Sequence, residues 1–435
     1  MERPKTLRFL LTALLLAGIA PLAAQERRAG YDVELVPKRD LPPRAAEEKV
    51  PLVLRLIMQP IKRGMWLRLP VVDTDPNRGV TGGFMPIWVL KERDGERIEQ
   101  IHAPSITYNK NFGAIPTYRY YWYPESDSAL VLRGAVGKYE HEVLGEFQDA
   151  NVFDTAIDLA MRVQYNTDSG QRFFGLGPDT EKSRETNYKE NYFMYRLTAG
   201  IPVMRDSRWR VHLSDLFTTN RLTDGPLPNL PSFTGTFPLA VHPGRQSVHA
   251  DRLILDYDTR EHSITTSRGA FFQTFAELSA ENLGSSQDFG RYGVDARYFH
   301  RWREDSSRVT AVQTQFEQMT GDAPFWLQPR LGGKYCLRAY GSGRYTERGL
   351  LTANVEQRFT MYKVKLADVW TEFELAPFAG LGTSFHEPGR MAARYTRPVL
   401  GVATRAVARP QVVGSVDFGV GQEGLAVFMD INYSF

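Results

Sequence analysis

The sequence predicts an all-β protein, an antiparallel transmembrane β-barrel of about 16 strands. Three observations carry this expectation. Met1 to Ala24 has the basic start, apolar run and small-residue end of a secretory signal peptide. The last residues place Leu425, Val427, Met429, Ile431, Tyr433 and Phe435 on one face of a strand and Asp430, Asn432 and Ser434 on the other. Between these ends, short extended segments alternate apolar and charged residues and are separated by turn formers.

The elements follow in order. Arg3, Lys5 and Arg8 precede an uncharged run from Phe9 to Ala20, which ends in Pro21-Leu22-Ala23-Ala24. That run is shorter than the ~20 residues a spanning helix requires, and no other stretch reaches that length, so a membrane form of this chain has to be a barrel. Residues 25–50 carry Arg27, Arg28, Lys38, Arg39, Pro42, Pro43 and Glu47 to Lys49 and read as a periplasmic leader. The barrel is expected over 51–435, with apolar Leu52 to Met58 as a short helix or strand at its entrance.

Within that span, Phe84 to Leu90, Ile98 to Tyr108, Tyr118 to Tyr123, Leu130 to Lys138, Glu142 to Phe147 and Ala156 to Tyr165 read as strands. The proline-containing segment from Asn220 to Gln246 reads as a surface loop. Further on, Leu253, Leu255 and Tyr257 alternate with Asp256, Asp258 and Arg260, and Tyr292, Val294, Ala296 and Tyr298 alternate with Asp295 and Arg297. Charges that recur on one strand face fit a water-filled barrel and not a sandwich core. At about 45 residues per hairpin with its loop, the chain holds roughly eight hairpins.

Composition narrows the function classes. Hydrophobic residues make up 42% and aromatics 12%, which suits strands apolar on one face only. A formal charge of +3 over the whole chain gives no basis for a nucleic-acid partner. Cys336 is the only cysteine, so no internal disulfide or cysteine zinc site exists. The eight histidines show no metal-ligand spacing, and no Gly-x-Ser-x-Gly elbow is present. Ser384, His386 and Glu387 lie close in sequence, and Asp256 and Asp258 share a strand face, but neither set amounts to an enzyme site. No catalytic residue, metal or cofactor is expected.

The most informative stretch runs from Leu331 to Phe359. A glycine-rich loop, Gly332-Gly333-Lys334-Tyr335-Cys336-Leu337-Arg338-Ala339-Tyr340-Gly341-Ser342-Gly343-Arg344, leads into a strand whose Thr352, Asn354, Glu356 and Arg358 share one face. These residues, with Arg172 to Pro178, Leu255 to Arg260, Thr266-Ser267-Arg268-Gly269 and the terminal strand, resemble the BamA/TamA superfamily of outer-membrane barrels, the bacterial surface antigen domain. The resemblance implies a location in the bacterial outer membrane and a role in inserting or translocating proteins or lipids. Its partners would be outer-membrane lipid, client outer-membrane proteins or a separate periplasmic partner. The alternative is a passive pore or structural barrel.

The same resemblance implies that the loop folds into the lumen and that Arg338, with Tyr340, Gly341, Gly343 and Arg344, locks onto Glu356. Where the family has a second carboxylate ahead of an Ala-Gly pair, this chain has Phe378-Ala379-Gly380, and Glu374 is the nearest substitute. Ala339 stands where the family has glycine, which would strain a positive φ. Direct Arg338–Glu356 pairing predicts that Arg338→Glu destabilises the barrel and that adding Glu356→Arg restores part of the loss. Ile431, Tyr433 and Phe435 resemble the C-terminal signal for outer-membrane assembly, facing lipid. Residues 25–50 are too few for the POTRA modules of client-handling relatives, so a form without them is expected.

Overall fold

Alternation of apolar and polar residues, interrupted by glycine, proline, asparagine and aspartate, makes this chain a succession of hairpins. The computed structural model describes residues 58–435 apart from 94–96, 126–127, 206, 243, 263–264, 367–368, 409–411 and 432. The signal-peptide, leader and entrance-segment expectations for residues before Met58 lie outside the described residues. The strands are β1 (Met58–Ile61), β2 (Gly64–Asp73), β3 (Thr81–Lys91), β4 (Ile98–Asn109), β5 (Gly113–Trp122), β6 (Ser128–Val136), β7 (Glu140–Asp149), β8 (Asp158–Phe173), β9 (Thr186–Pro202) and β10 (Trp209–Asp224). They continue with β11 (Gln246–Asp258), β12 (Gly269–Ser279), β13 (Phe289–Arg301), β14 (Arg308–Gly321), the two-residue pieces β15 (Arg330–Leu331) and β16 (Tyr345–Thr346), then β17 (Gly349–Leu366), β18 (Val369–Phe385), β19 (Arg397–Ala408), β20 (Val412–Gly421) and β21 (Gly424–Ile431).

Among the described residues nineteen strands form one sheet, each antiparallel to the next along the chain, with β14 pairing directly to β17 while β15 and β16 form a separate two-stranded ladder. The expected count of about 16 is therefore too low. The cause is the short early hairpins: β4 and β5 are joined across residues 110–112, and β6 and β7 across 137–139, so the first hairpins use far fewer residues than the estimate allowed. Strand β1 is only four residues long and pairs with the start of β2.

The two ends of the sheet meet where Thr74 N donates to Val427 O at 3.0 Å and Val427 N donates to Thr74 Oγ1 at 2.9 Å. No ladder joins β21 to β1 or β2 among the described residues. Among the described residues this seam has very few backbone bonds, whereas the other neighbouring strands are joined by ladders, three of them with a register shift. The longest connections, residues 225–245 and 322–348, open at one end, while the longest at the opposite end spans 259–268. Long loops mark the extracellular end and short turns the periplasmic end.

Side chains sort by face as the alternation dictates. Leu253, Leu278, Tyr298, Leu381, Leu400 and Val420 point outward and are exposed to the membrane, while Asp256, Gln273, Asp295, Gln313 and Glu356 point inward and are buried. Parts of the inner face are apolar instead. On β3 and β4, Met85, Ile87, Val89, Ile98, Ile101 and Ala103 form a lumen-side cluster near the seam, with Leu67 and Leu69 of β2 against it. At the extracellular end, Phe173, Tyr188, Phe233 and Phe325 pack ring to ring, with Phe173 and Phe325 centroids 4.4 Å apart. Phe233 belongs to a single helical turn, α1 (Phe233–Thr236), inside the segment expected as a surface loop. Part of that segment is therefore a plug over the barrel mouth, because its aromatics find apolar partners on the inner wall.

The seam yields a direct test. Thr74→Val removes one of its two hydrogen bonds without changing shape, at a cost of about 1 kcal/mol. Amide exchange at Val427 should accelerate about fivefold while amides in β11 keep their rates; equal protection in both proteins would show that the bond does not hold the seam.

Candidate functional site: a buried ionic lock in the lumen

The loop between β15 and β16 enters the lumen because its backbone can turn sharply. Gly332 and Gly333 adopt φ of +124° and +85°, conformations open to glycine, and a Cβ on Gly332 would lie 2.1 Å from the Gly341 carbonyl oxygen. Ala339 has no positive φ, so the alanine is accommodated without that strain. Inside the loop Gly333 N donates to Tyr340 O at 2.8 Å and Leu337 N to Gly333 O at 3.0 Å. Leu331, Leu337, Ala339 and Tyr340 then pack on Ala376, Phe378, Val399 and Ala403 of β18 and β19.

This packing delivers Arg338 to the middle of the wall. Its Nη1 donates to Glu356 Oε2 at 2.8 Å, Asp417 Oδ2 at 3.1 Å and Ser434 Oγ at 3.3 Å. Its guanidinium lies 3.6 Å from the Phe378 ring centroid. Glu356 is the shared centre. Arg405 donates to both of its oxygens, at 2.7 and 2.8 Å, and Arg358 Nε donates to Oε1 at 2.8 Å. Arg338, Arg358 and Arg405 are opposed by Glu356 and Asp417 in direct contact, all of them buried. Such a cluster is stable only when its charges and hydrogen-bonding groups are mutually satisfied.

The structure differs from two expectations here. Asp417 on β20, and not Glu374, supplies the second carboxylate to Arg338. Glu374 instead accepts from Tyr433 Oη at 2.9 and 3.0 Å. Nor do Tyr433 and Phe435 extend β21 toward lipid. The strand ends at Ile431, and both aromatics are buried in the lumen. Arg358 stacks 3.8 Å from the Tyr433 ring centroid and donates Nη2 to the Phe435 main-chain oxygen at 3.0 Å, while Ser434 Oγ donates to Asp417 at 2.8 Å. The apolar period in the sequence continued through Phe435, but buried arginines offer these rings cation–π contacts that the strand edge does not. Ile431 contributes main-chain pairing with Gly414.

The remaining predicted residues anchor the loop at its extracellular side. Tyr340 Oη donates to Pro398 O at 3.4 Å and accepts from Gln422 N at 3.1 Å. Gly341 presses on Asn77, whose Nδ2 donates to Ser342 O at 2.7 Å, and Gly343 adopts φ +75°. Arg344 donates to Glu423 at 2.6 Å and to Thr180 O at 3.0 Å, with Phe174 and Tyr345 rings beside it. Asp417, Arg405 and Ser434 were missed from sequence. Arg405 and Asp417 sit on strands whose local pattern is unremarkable and Ser434 lies just past the end of β21, and only the closed barrel brings them to Glu356.

The sets weighed for chemistry separate in space. His386 Nδ1 lies 3.3 Å from Glu347, Asp256 faces His212 at 2.9 Å, and Asp258 holds Arg260 at 2.8 Å. Among the described residues, Asp215, His249 and Asp251 could approach one ion, but both ring nitrogens of His249 are already engaged, with Asp215 at 2.6 Å and Leu283 O at 2.9 Å.

Two variants probe the lock. Glu356→Gln leaves three buried arginines short of an anion and should cost about 3–5 kcal/mol in urea unfolding of the detergent-solubilised barrel. For the same reason Arg338→Glu with Glu356→Arg should not recover stability, contrary to the pairwise expectation, because the new arginine meets Arg358 and Arg405 and the new glutamate meets Asp417. Recovery by the exchange would reduce the lock to a simple pair. A Cβ at Gly419 would lie 1.6 Å from the Arg338 carbonyl oxygen. Gly419→Ala should therefore expel the loop and raise single-channel conductance while the barrel stays folded; unchanged conductance would place the loop elsewhere.

Comparisons with known proteins agree with this architecture. Residues 128–407 match the Omp85 superfamily domain. The structure resembles BamA from Haemophilus ducreyi lacking POTRA domains 1-3, with TM-score 0.52, 12% identity, and 84% of this chain and 75% of that chain covered. It also resembles CdiB from Escherichia coli, with TM-score 0.53, 9% identity, and 84% and 67% of the two chains covered. At such identities these likenesses show the barrel fold. No curated protein sequence matches the chain. With the family model matching well over half of its length, the chain belongs to the Omp85 superfamily and is a non-enzymatic β-barrel of the bacterial outer membrane.

Proposed function

We propose that this barrel assists the insertion or translocation of proteins or lipids at the outer membrane. The single observation that carries the reading is the lumen lock beside a weak seam. A loop held by Arg338, Glu356 and Asp417 is connected through Ser434 and Tyr433 to the end of the strand that borders the seam. A barrel that only spans the membrane has no need for a seam that, among the described residues, is held by two hydrogen bonds between Thr74 at the end of β2 and Val427 of β21. Client outer-membrane proteins and a separate periplasmic partner are the partners of this reading.

A passive pore is the competing reading, and the plugged mouth and filled lumen argue against it. The structure-neutral test is client insertion. Purified protein in liposomes should accelerate folding of an unfolded outer-membrane barrel, and Arg338→Ala should remove most of that acceleration while retaining its own heat-modifiable gel mobility. Identical client folding in protein-containing and empty liposomes would reject the activity.

A further inference from the structure

The periplasmic rim below β12–β14 contains a feature that neither the lock nor the seam uses. A pocket of about 410 Å³ is lined by Arg268, Gly269, Tyr298, Phe299, His300, Arg301 and Glu304. Tyr298, opposite Ala270 in the register, is exposed on the membrane face, and Trp302 beyond it is exposed as well. Trp302 Nε1 donates to Thr310 at 2.8 Å and its ring meets His300 edge-on at 4.5 Å, so the aromatic wall is fixed. Such aromatics mark the height where hydrocarbon gives way to headgroups.

The charges in the pocket are arranged unequally. Arg301 is engaged by Glu261 at 3.3 Å and Glu304 at 3.1 Å. Arg268 is exposed, and its side chain has no hydrogen-bond or ion-pair partner among the described residues. Glu304 has 92% of its side chain exposed, so its carboxylate is open to a second cation. The pocket therefore offers one free guanidinium and one accessible carboxylate at headgroup height. Outward of it run Ala270, Phe272, Val294 and Ala296 on adjacent strands, a smooth apolar surface.

We propose that this pocket binds the headgroup of a zwitterionic glycerophospholipid of the periplasmic leaflet. Arg268 holds the phosphate by charge-assisted hydrogen bonds, Glu304 receives the ammonium, and the acyl chains lie along the outward side chains of β12 and β13. Phosphate recognition alone would serve a free phosphate equally well, and an anionic headgroup would leave the exposed side of the Glu304 carboxylate, beyond its contact with Arg301, unused. The paired charges and the adjoining apolar strip favour the zwitterionic lipid.

Native mass spectrometry of the full-length protein in detergent, titrated with phosphatidylethanolamine, phosphatidylglycerol or inorganic phosphate, tests this. Wild type should retain phosphatidylethanolamine more tightly than phosphatidylglycerol. Arg268→Gln should weaken both by about tenfold or more, the loss of a charge-assisted bond. Arg268→Lys should keep most of the binding, and Glu304→Gln should abolish the preference between the two lipids. All variants should keep heat-modifiable mobility, as expected for exposed residues. Equal lipid retention by wild type and Arg268→Gln would overturn the proposal, as would displacement of the lipid by excess inorganic phosphate.

Discussion

The lumen lock depends on one carboxylate. Glu356 accepts hydrogen bonds from Arg338, Arg358 and Arg405, which come from a loop and two strands. In a buried environment three guanidinium groups repel one another strongly, and only an anion at their centre makes the arrangement tolerable. Asp417 adds a second negative charge, and the rings of Phe378 and Tyr433 add cation–π contacts. Glu356 therefore acts as a node. The loop position, the wall geometry and the C-terminal residues all refer to it.

This arrangement ties the lumen to the seam. The chain that forms β21 leaves the sheet after Ile431 and turns inward, so Tyr433, Ser434 and Phe435 bond to lock residues and not to β2. The same residues cannot lie in the lumen and extend a ladder along β2. Among the described residues the seam consequently keeps two hydrogen bonds, at Thr74 and Val427, and no ladder. A network of this kind is cooperative, since each member's placement depends on the others being satisfied.

Much of this was legible in the sequence because strand alternation is local. The inward direction of Asp256, Asp295 and Glu356 and the outward direction of Leu253 and Tyr298 follow from the two-residue period alone. The glycines that admit the loop and the arginine it carries were also legible. What escaped were properties of closure. Asp417 and Arg405 lie far along the chain from Arg338, and no local signal links them. Tyr433 and Phe435 continued an apolar period that predicted lipid contact, but buried arginines outcompete that position. Glu374 had the right parity and the wrong strand position, reaching Tyr433 and not Arg338. The strand count failed because turn lengths in the first hairpins are shorter than the average assumed.

The central claim is that Arg338 is held jointly by Glu356 and Asp417 in one coupled network. A double-mutant cycle with Arg338→Ala and Asp417→Asn, read by urea unfolding in detergent, tests it most directly. Joint holding gives a coupling energy of about 1.5–3 kcal/mol, the range for a charged hydrogen bond. Losses that add to within about 0.5 kcal/mol would contradict it, because independent sites behave that way.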